Sequence, residues 1–276
     1  MSKVYLKEQE YGKDRVRLAK VIRREKWHDI IELTADNSMV VATDSIKNTI
    51  YILAKQLSCV ENIEIFASEI GQHFITTYSH VHKATVSITK HKWTRMLIDG
   101  KYHDHSFLRD GDDVHDTKVV VSRKGIIIES GLKNLLVLKT TGSAFYGFLR
   151  DKYMDDRILS TSVDATWTFN IQSIASITKI PFNDIFESIK QITLHIFATD
   201  NSASVQATLF LMAKNALEKH SQIDSVRYEL PNKHYFTYDL ERFGLKNTGK
   251  DSDIFVPFSD PAGLITATIA RVKSKL

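Results

Sequence analysis

Cysteine is almost missing: one residue, Cys59, stands in a chain of 276. That excludes an intrachain disulfide framework and suits a reducing compartment, and no motif around Cys59 supports it as a nucleophile. Proline is scarce, with four residues, and glycine modest, with 11, so neither a collagen-like nor a disordered chain is in view. No apolar run reaches the roughly 18 residues that span a bilayer. The opening Met1-Ser2-Lys3-Val4-Tyr5-Leu6-Lys7-Glu8 lacks a signal-peptide core, so the sequence predicts a soluble chain with no membrane partner. Long runs of one charge are lacking too. The net charge of +4 is spread among acids, which argues against a nucleic-acid partner. An anionic small molecule needs only local positive charge.

What is present is an ordinary globular composition, 43% hydrophobic and 25% charged. The length suits one large domain or two of about 130 residues. Apolar positions alternate with Arg15 and Arg17 after Tyr11-Gly12-Lys13-Asp14, which predicts a strand, and Trp27 to Leu33 predicts its hairpin partner. Ile46, Ile50, Leu53, Ala54 and Leu57 mark a helix, and Ile63, Phe66, Ile70, Phe74 and Tyr78 mark a second. Strands are expected at Ala84 to Ile88 and Lys118 to Val121, then at Ile126 to Glu129, Leu135 to Thr140 and Ser162 to Phe169. A further helix pair follows, on Ile185, Ile189, Ile192 and Ile196 and then on Ala203, Ala207, Phe210, Ala213 and Leu217. Strands return at Val226 to Leu230, His234 to Tyr238 and Ile265 to Ile269. Helix pairs between strand pairs, twice over, predict an α+β chain of two halves, 1–123 and 124–276, with antiparallel sheets and the helices on one face.

Thr43 and Asp44, ahead of the first helix, are N-cap candidates beside the positive end of its dipole. Alone they do no more than start a helix. Gly244-Leu245-Lys246-Asn247-Thr248-Gly249-Lys250-Asp251 falls short of a phosphate-binding loop. Asp251 replaces the hydroxyl residue, and extended rather than helical sequence follows. His103-Asp104-His105 sets two imidazoles on one strand face without a third ligand, so no metal is expected. Asn232 and His234, in Pro231-Asn232-Lys233-His234-Tyr235-Phe236, share a face in extended backbone, an arrangement able to orient water and relay a proton.

Read in order, these stretches acquire a common meaning. Tyr11-Gly12-Lys13-Asp14, Ala42-Thr43-Asp44-Ser45, Trp93-Thr94-Arg95, His103-Asp104-His105-Ser106-Phe107, Val137-Leu138-Lys139-Thr140-Thr141, Asp156-Arg157-Ile158-Leu159-Ser160-Thr161, Ser204-Val205-Gln206-Ala207-Thr208 and Leu230-Pro231-Asn232-Lys233-His234 resemble the ordered motifs of the urate oxidases. The resemblance runs from about Tyr11 to the end. It implies the tunnelling fold, or T-fold: two tandem domains, each a four-stranded antiparallel sheet with a helix pair, assembled as a homotetramer around a tunnel. It also implies oxidation of urate by dioxygen and water to 5-hydroxyisourate and hydrogen peroxide, with no metal or flavin. Phe145 is then expected to stack on the purine while Arg157 and Gln206 clamp its edge, with the backbone N–H groups of Asp44 and Val205 on the remaining polar atoms. An aromatic platform, a guanidinium fork and a carboxamide match the face and rim of a flat anion.

By the same resemblance Lys13 accepts a proton through the Thr43 hydroxyl, which calls for an ammonium pKa lowered by burial. His234 completes the relay. Asn232 and Thr43 flank the place of dioxygen and of the attacking water. Lys13 and Thr43 come from one subunit, and the other groups from its neighbour. The closing Ser274-Lys275-Leu276 matches a peroxisomal address, implying a peroxisomal import receptor as partner. Two stretches are shorter than the family pattern, one between Lys13 and Thr43 and one after Tyr153, just ahead of Arg157. The alternatives are another T-fold enzyme acting on a pterin-like ring, which a chelator distinguishes if it uses zinc, and an inactive purine-binding protein, which a peroxide assay distinguishes. Lys13→Met is expected to lose most turnover while keeping urate affinity, and Arg157→Ala to weaken binding chiefly. Steady-state kinetics with direct urate titration check both.

Overall fold

The computed structural model describes residues 17–22, 40–144, 157–171, 173–249, 252–258 and 262–272. Among these residues eight strands form one antiparallel array: β1 (Arg17–Ile22), β2 (Lys83–Ile98), β3 (Lys101–Ser122), β4 (Gly125–Lys139), β5 (Leu159–Phe169), β6 (Ile223–Thr237), β7 (Phe255–Phe258) and β8 (Leu264–Ala270). Spatial order follows chain order from β1 to β7, and β8 also pairs with β6. The helices α1 (Thr43–Gln56), α2 (Ile63–Thr77), α3 (Phe182–Thr199) and α4 (Val205–Lys219) come as two pairs.

α2 is helical for reasons visible in its sequence. Asn62 caps it, its side chain accepting from the Ile65 N–H at 3.3 Å, and Ile63, Phe66, Ala67, Ile70 and Phe74 recur on one buried face. Gly71 lets this helix lie close on the sheet, for a Cβ there would stand 2.4 Å from Val121 Cγ2. The core between sheet and helices is one cluster running from Val41 to Leu230, with Trp167, Tyr228 and Phe182 among its largest fully buried side chains.

Three strand expectations change. The two short strands predicted either side of Leu132 are one strand, β4, whose register slips between Leu132 and Leu135 around Asn134 at φ 60°. The pair predicted either side of Pro231 is likewise one strand, β6. Its Ser225–Pro231 stretch pairs with β8 and its His234–Thr237 stretch with β7. The strands at Ala84 and Lys118 extend into a long hairpin closed at Asp99 and Gly100, whose φ values are 48° and 75°. The hairpin partner predicted at Trp27 to Leu33 lies outside the described residues.

Where the two halves meet, charge is buried. Glu64 of α2 is fully buried; its Oε1 accepts from Ser130 Oγ at 2.6 Å and lies 2.8 Å from His115 Nε2. The His115 ring stacks on Phe186 of α3, centroids 3.9 Å apart. Burial pushes the Glu64 carboxyl up, but the charge and hydrogen bond of His115 and the Ser130 hydroxyl outweigh it, holding it below its ordinary value. A depressed carboxyl stabilises the fold above its unfolded pKa, and that contribution fades as pH falls through the folded value. Glu64→Gln should therefore cost about 3 kcal/mol in urea unfolding near neutrality. The gap to wild type should close as the pH drops below about 4; a gap independent of pH would assign the loss to packing.

Candidate functional site

The site is assembled around a short parallel bridge between Ser143 and Ser202 in an otherwise antiparallel structure. Three segments distant in sequence meet there. The Ala144 N–H donates to the Ser202 carbonyl at 2.9 Å, the Ser202 N–H to the Gly142 carbonyl at 3.0 Å, and the Arg157 N–H to the Ser143 carbonyl at 2.9 Å. Arg157, two residues ahead of β5, is thereby fixed beside the turn that leads into α4. Its side chain is half-buried, and burial pulls the guanidinium pKa down. A cation in such surroundings gains more from an anionic oxygen than it would in water.

α4 begins at Val205 because Ser204, in extended backbone, accepts from the Ala207 N–H at 3.1 Å. The helical ladder opens with the Thr208 N–H on the Ser204 carbonyl. The N–H groups of Val205 and Gln206 precede both bonds, at the positive end of the helix dipole. The Gln206 side chain is exposed and that of Val205 buried. Asn201 and Ser202 lie just outside this helix; its cap is Ser204.

On the neighbouring strand the register sets Asn232 opposite Thr161. The Asn232 N–H donates to the Gly263 carbonyl at 2.8 Å, which leaves its half-buried carboxamide on the same strand face as Leu230 and His234. The His234 ring stacks on Phe236, centroids 5.9 Å apart. The backbone thus links Arg157 to the segment that leads into Val205 and Gln206, while Asn232 and His234 lie on β6, the strand paired with β5. Phe145 directly follows Ala144 in sequence but is itself outside the described residues, as are Lys13 and the closing Ser274, Lys275 and Leu276.

Thr43 and Asp44 are elsewhere, exposed at the start of α1 in the first half. Neither is the cap. Ala42 occupies that position, with φ −55° and ψ 138°, and no side chain bonds the helix start. The Asp44 carboxylate is taken instead by Lys47, and by Asn48 Nδ2 at 3.0 Å; the Lys47 hydrogen bond, more than any other influence, holds its pKa below the ordinary value. The Asp44 N–H still precedes the ladder, which opens with the Ile46 N–H on the Ala42 carbonyl. His103 and His105 lie with ring centroids 4.6 Å apart, and among the described residues no group of three or more His, Cys, Asp or Glu is placed to hold a metal ion. Sequence reasoning missed a polar cluster behind the start of α4, made by Lys139, Asp200, Ser202 and Thr208.

Known proteins resemble the chain along nearly its whole length. A family model described as Uricase matches residues 33–120 and 128–266. A uricase of Aspergillus flavus is 49% identical over 295 aligned residues, covering 96% of this chain and 97% of that one. A uricase of Emericella nidulans is 46% identical, covering 96% of each. Among solved structures, the uricase from Arthrobacter globiformis superposes with a TM-score of 0.83 at 30% identity, covering 100% of this chain and 96% of that one.

Proposed function

The chain belongs to the uricase family, and from that membership we infer its reaction: urate, dioxygen and water give 5-hydroxyisourate and hydrogen peroxide, a step of purine degradation. The fold is the tandem T-fold of that family, and we place the boundary between its domains at the Arg123–Lys124 turn. The equation balances without a further oxidant. Urate loses two electrons and two protons to dioxygen, and the oxygen of water becomes the new hydroxyl on the ring.

The observation that supports this reading is the backbone bridging that fixes Arg157 beside the start of α4, with Asn232 on the strand paired with β5. In the proposed roles Arg157 and the Gln206 carboxamide clamp one edge of the purine, Phe145 stacks on its face, and the N–H groups of Val205 and Asp44 bind the remaining polar atoms. Raising the negative charge on urate makes it a better electron donor. Lys13 accepts the proton through Thr43, and His234 carries the relay onward. Asn232 and Thr43 hold dioxygen and then water.

Thr43 and Asp44 are exposed and sit in the other half of the chain, in keeping with a site completed by a neighbouring subunit. The sheet face opposite the helices leaves Ile127, Leu136 and Leu138 of β4 exposed, an apolar surface of the kind that associates. We therefore propose the family's homotetramer, a reaction free of metal or organic cofactor, and delivery to the peroxisome through Ser274-Lys275-Leu276 and its import receptor, where the peroxide product is contained. The test is a urate assay on metal-stripped protein. Under air, urate absorbance should fall with equimolar peroxide; under nitrogen it should stay constant. A requirement for an added ion or pigment would overturn the cofactor-free mechanism, and unchanged urate in aerated buffer would overturn the activity itself.

A further inference from the structure

Behind the start of α4 lies a buried polar circuit for which the assigned roles have no use. Lys139, the last residue of β4, donates to the Asp200 carbonyl at 2.7 Å and to Ser202 Oγ at 2.8 Å, with its ammonium 5.6 Å from the centroid of Phe197. Thr208 Oγ1 lies 2.7 Å from both Asp200 Oδ2 and Ser202 Oγ. Ser202 and Thr208 are 0% and 2% exposed. One hydroxyl proton cannot serve two acceptors. One consistent polarity runs from Lys139 to Ser202, from Ser202 to Thr208, and from Thr208 to the Asp200 carboxylate, from which Ser202 Oγ also lies 3.3 Å. A cation is thus connected to a carboxylate through two dry hydroxyls, an arrangement that stiffens what it joins.

What it joins is the clamp. Ser202 is the residue bridged to Ser143, and the Ser143 carbonyl holds the Arg157 backbone. Ser202 is also two residues ahead of the Ser204 cap and four ahead of Gln206, while Thr208 anchors the first turn of the same helix. Any displacement of Ser202 moves both edges of the clamp together. Helix formation does not demand the circuit, since Ser204 alone supplies the side-chain cap. Burying two hydroxyls beside a half-buried amine is costly where apolar side chains would fill the space.

We propose that Lys139, Ser202 and Thr208 are positioning residues for urate recognition, setting the separation of Arg157 and Gln206 without touching the purine. The inference rests on the assignment of those two residues as the clamp. It is tested by titrating urate into the full-length enzyme under nitrogen, where binding occurs without turnover, alongside steady-state kinetics in air. Thr208→Val keeps the shape and removes the hydroxyl. Its urate Kd and KM should rise about tenfold with kcat within about twofold of wild type, and Thr208→Ser should restore the affinity. Lys139→Met interrupts the circuit at its other end, provides the readout if the valine variant fails to fold, and should weaken binding comparably. Native affinity in Thr208→Val or in Lys139→Met overturns the inference, as does a serine variant as weak as the valine one. Gln206→Ala separates the two levels. If it binds urate as wild type does, the clamp assignment itself fails and the inference with it; if it binds weakly while Thr208→Val binds normally, only the positioning role fails.

Discussion

The contact of Ser143 with Ser202 determines what the second half of the chain is able to hold. Sheet hydrogen bonding alone would send the chain after β4 and the chain before α4 to separate places, because both leave the array at their own strand or helix ends. The parallel bridge draws them together and adds the Arg157 amide as a third participant. A guanidinium and the beginning of a helix are thereby brought side by side. Both favour negative charge, the first by its own charge and the second by its unpaired N–H groups.

The two helix pairs do not offer the same chemistry at their ends. In the first, α1 presents Thr43 and Asp44 to solvent, and the Asp44 carboxylate is occupied by its own helix through Lys47 and Asn48. In the second, α4 starts against a dry wall of hydroxyls and a lysine. An exposed helix start offers little to a ligand by itself, because water competes for every donor. In the assembly proposed above, the same donors would face a drier partner than water.

Much of this was legible in the sequence, and the rest resisted for physical reasons. Among the described residues the four helices were readable because each buries one face, so their apolar residues recur at helical spacing. The outer parts of β2 and β3 were not, because beyond Ile88 few side chains are buried and no alternation of core and solvent is written into the residues. A slip at Asn134 made β4 look like two strands, and Pro231 did the same for β6. Ala42 was invisible as a cap because its backbone alone does the work, while the adjacent Thr43 and Asp44 carry the side chains expected of one. For the site, the motif positions were readable but their grouping was not: Lys139 and Ser202 stand 63 residues apart and meet only through the tertiary fold.

The Glu64 cluster bears on how far the internal repeat can be taken literally. Glu64 and His115 belong to one half, and Ser130 and Phe186, which bond and cover them, belong to the other. A polypeptide nicked or expressed as two pieces at Arg123–Lys124 would leave a carboxylate and an imidazole facing water on a freshly uncovered surface, with β3 stripped of the strand beside it. The second helix and the strand beside it are thus tied to the third helix through one buried carboxylate.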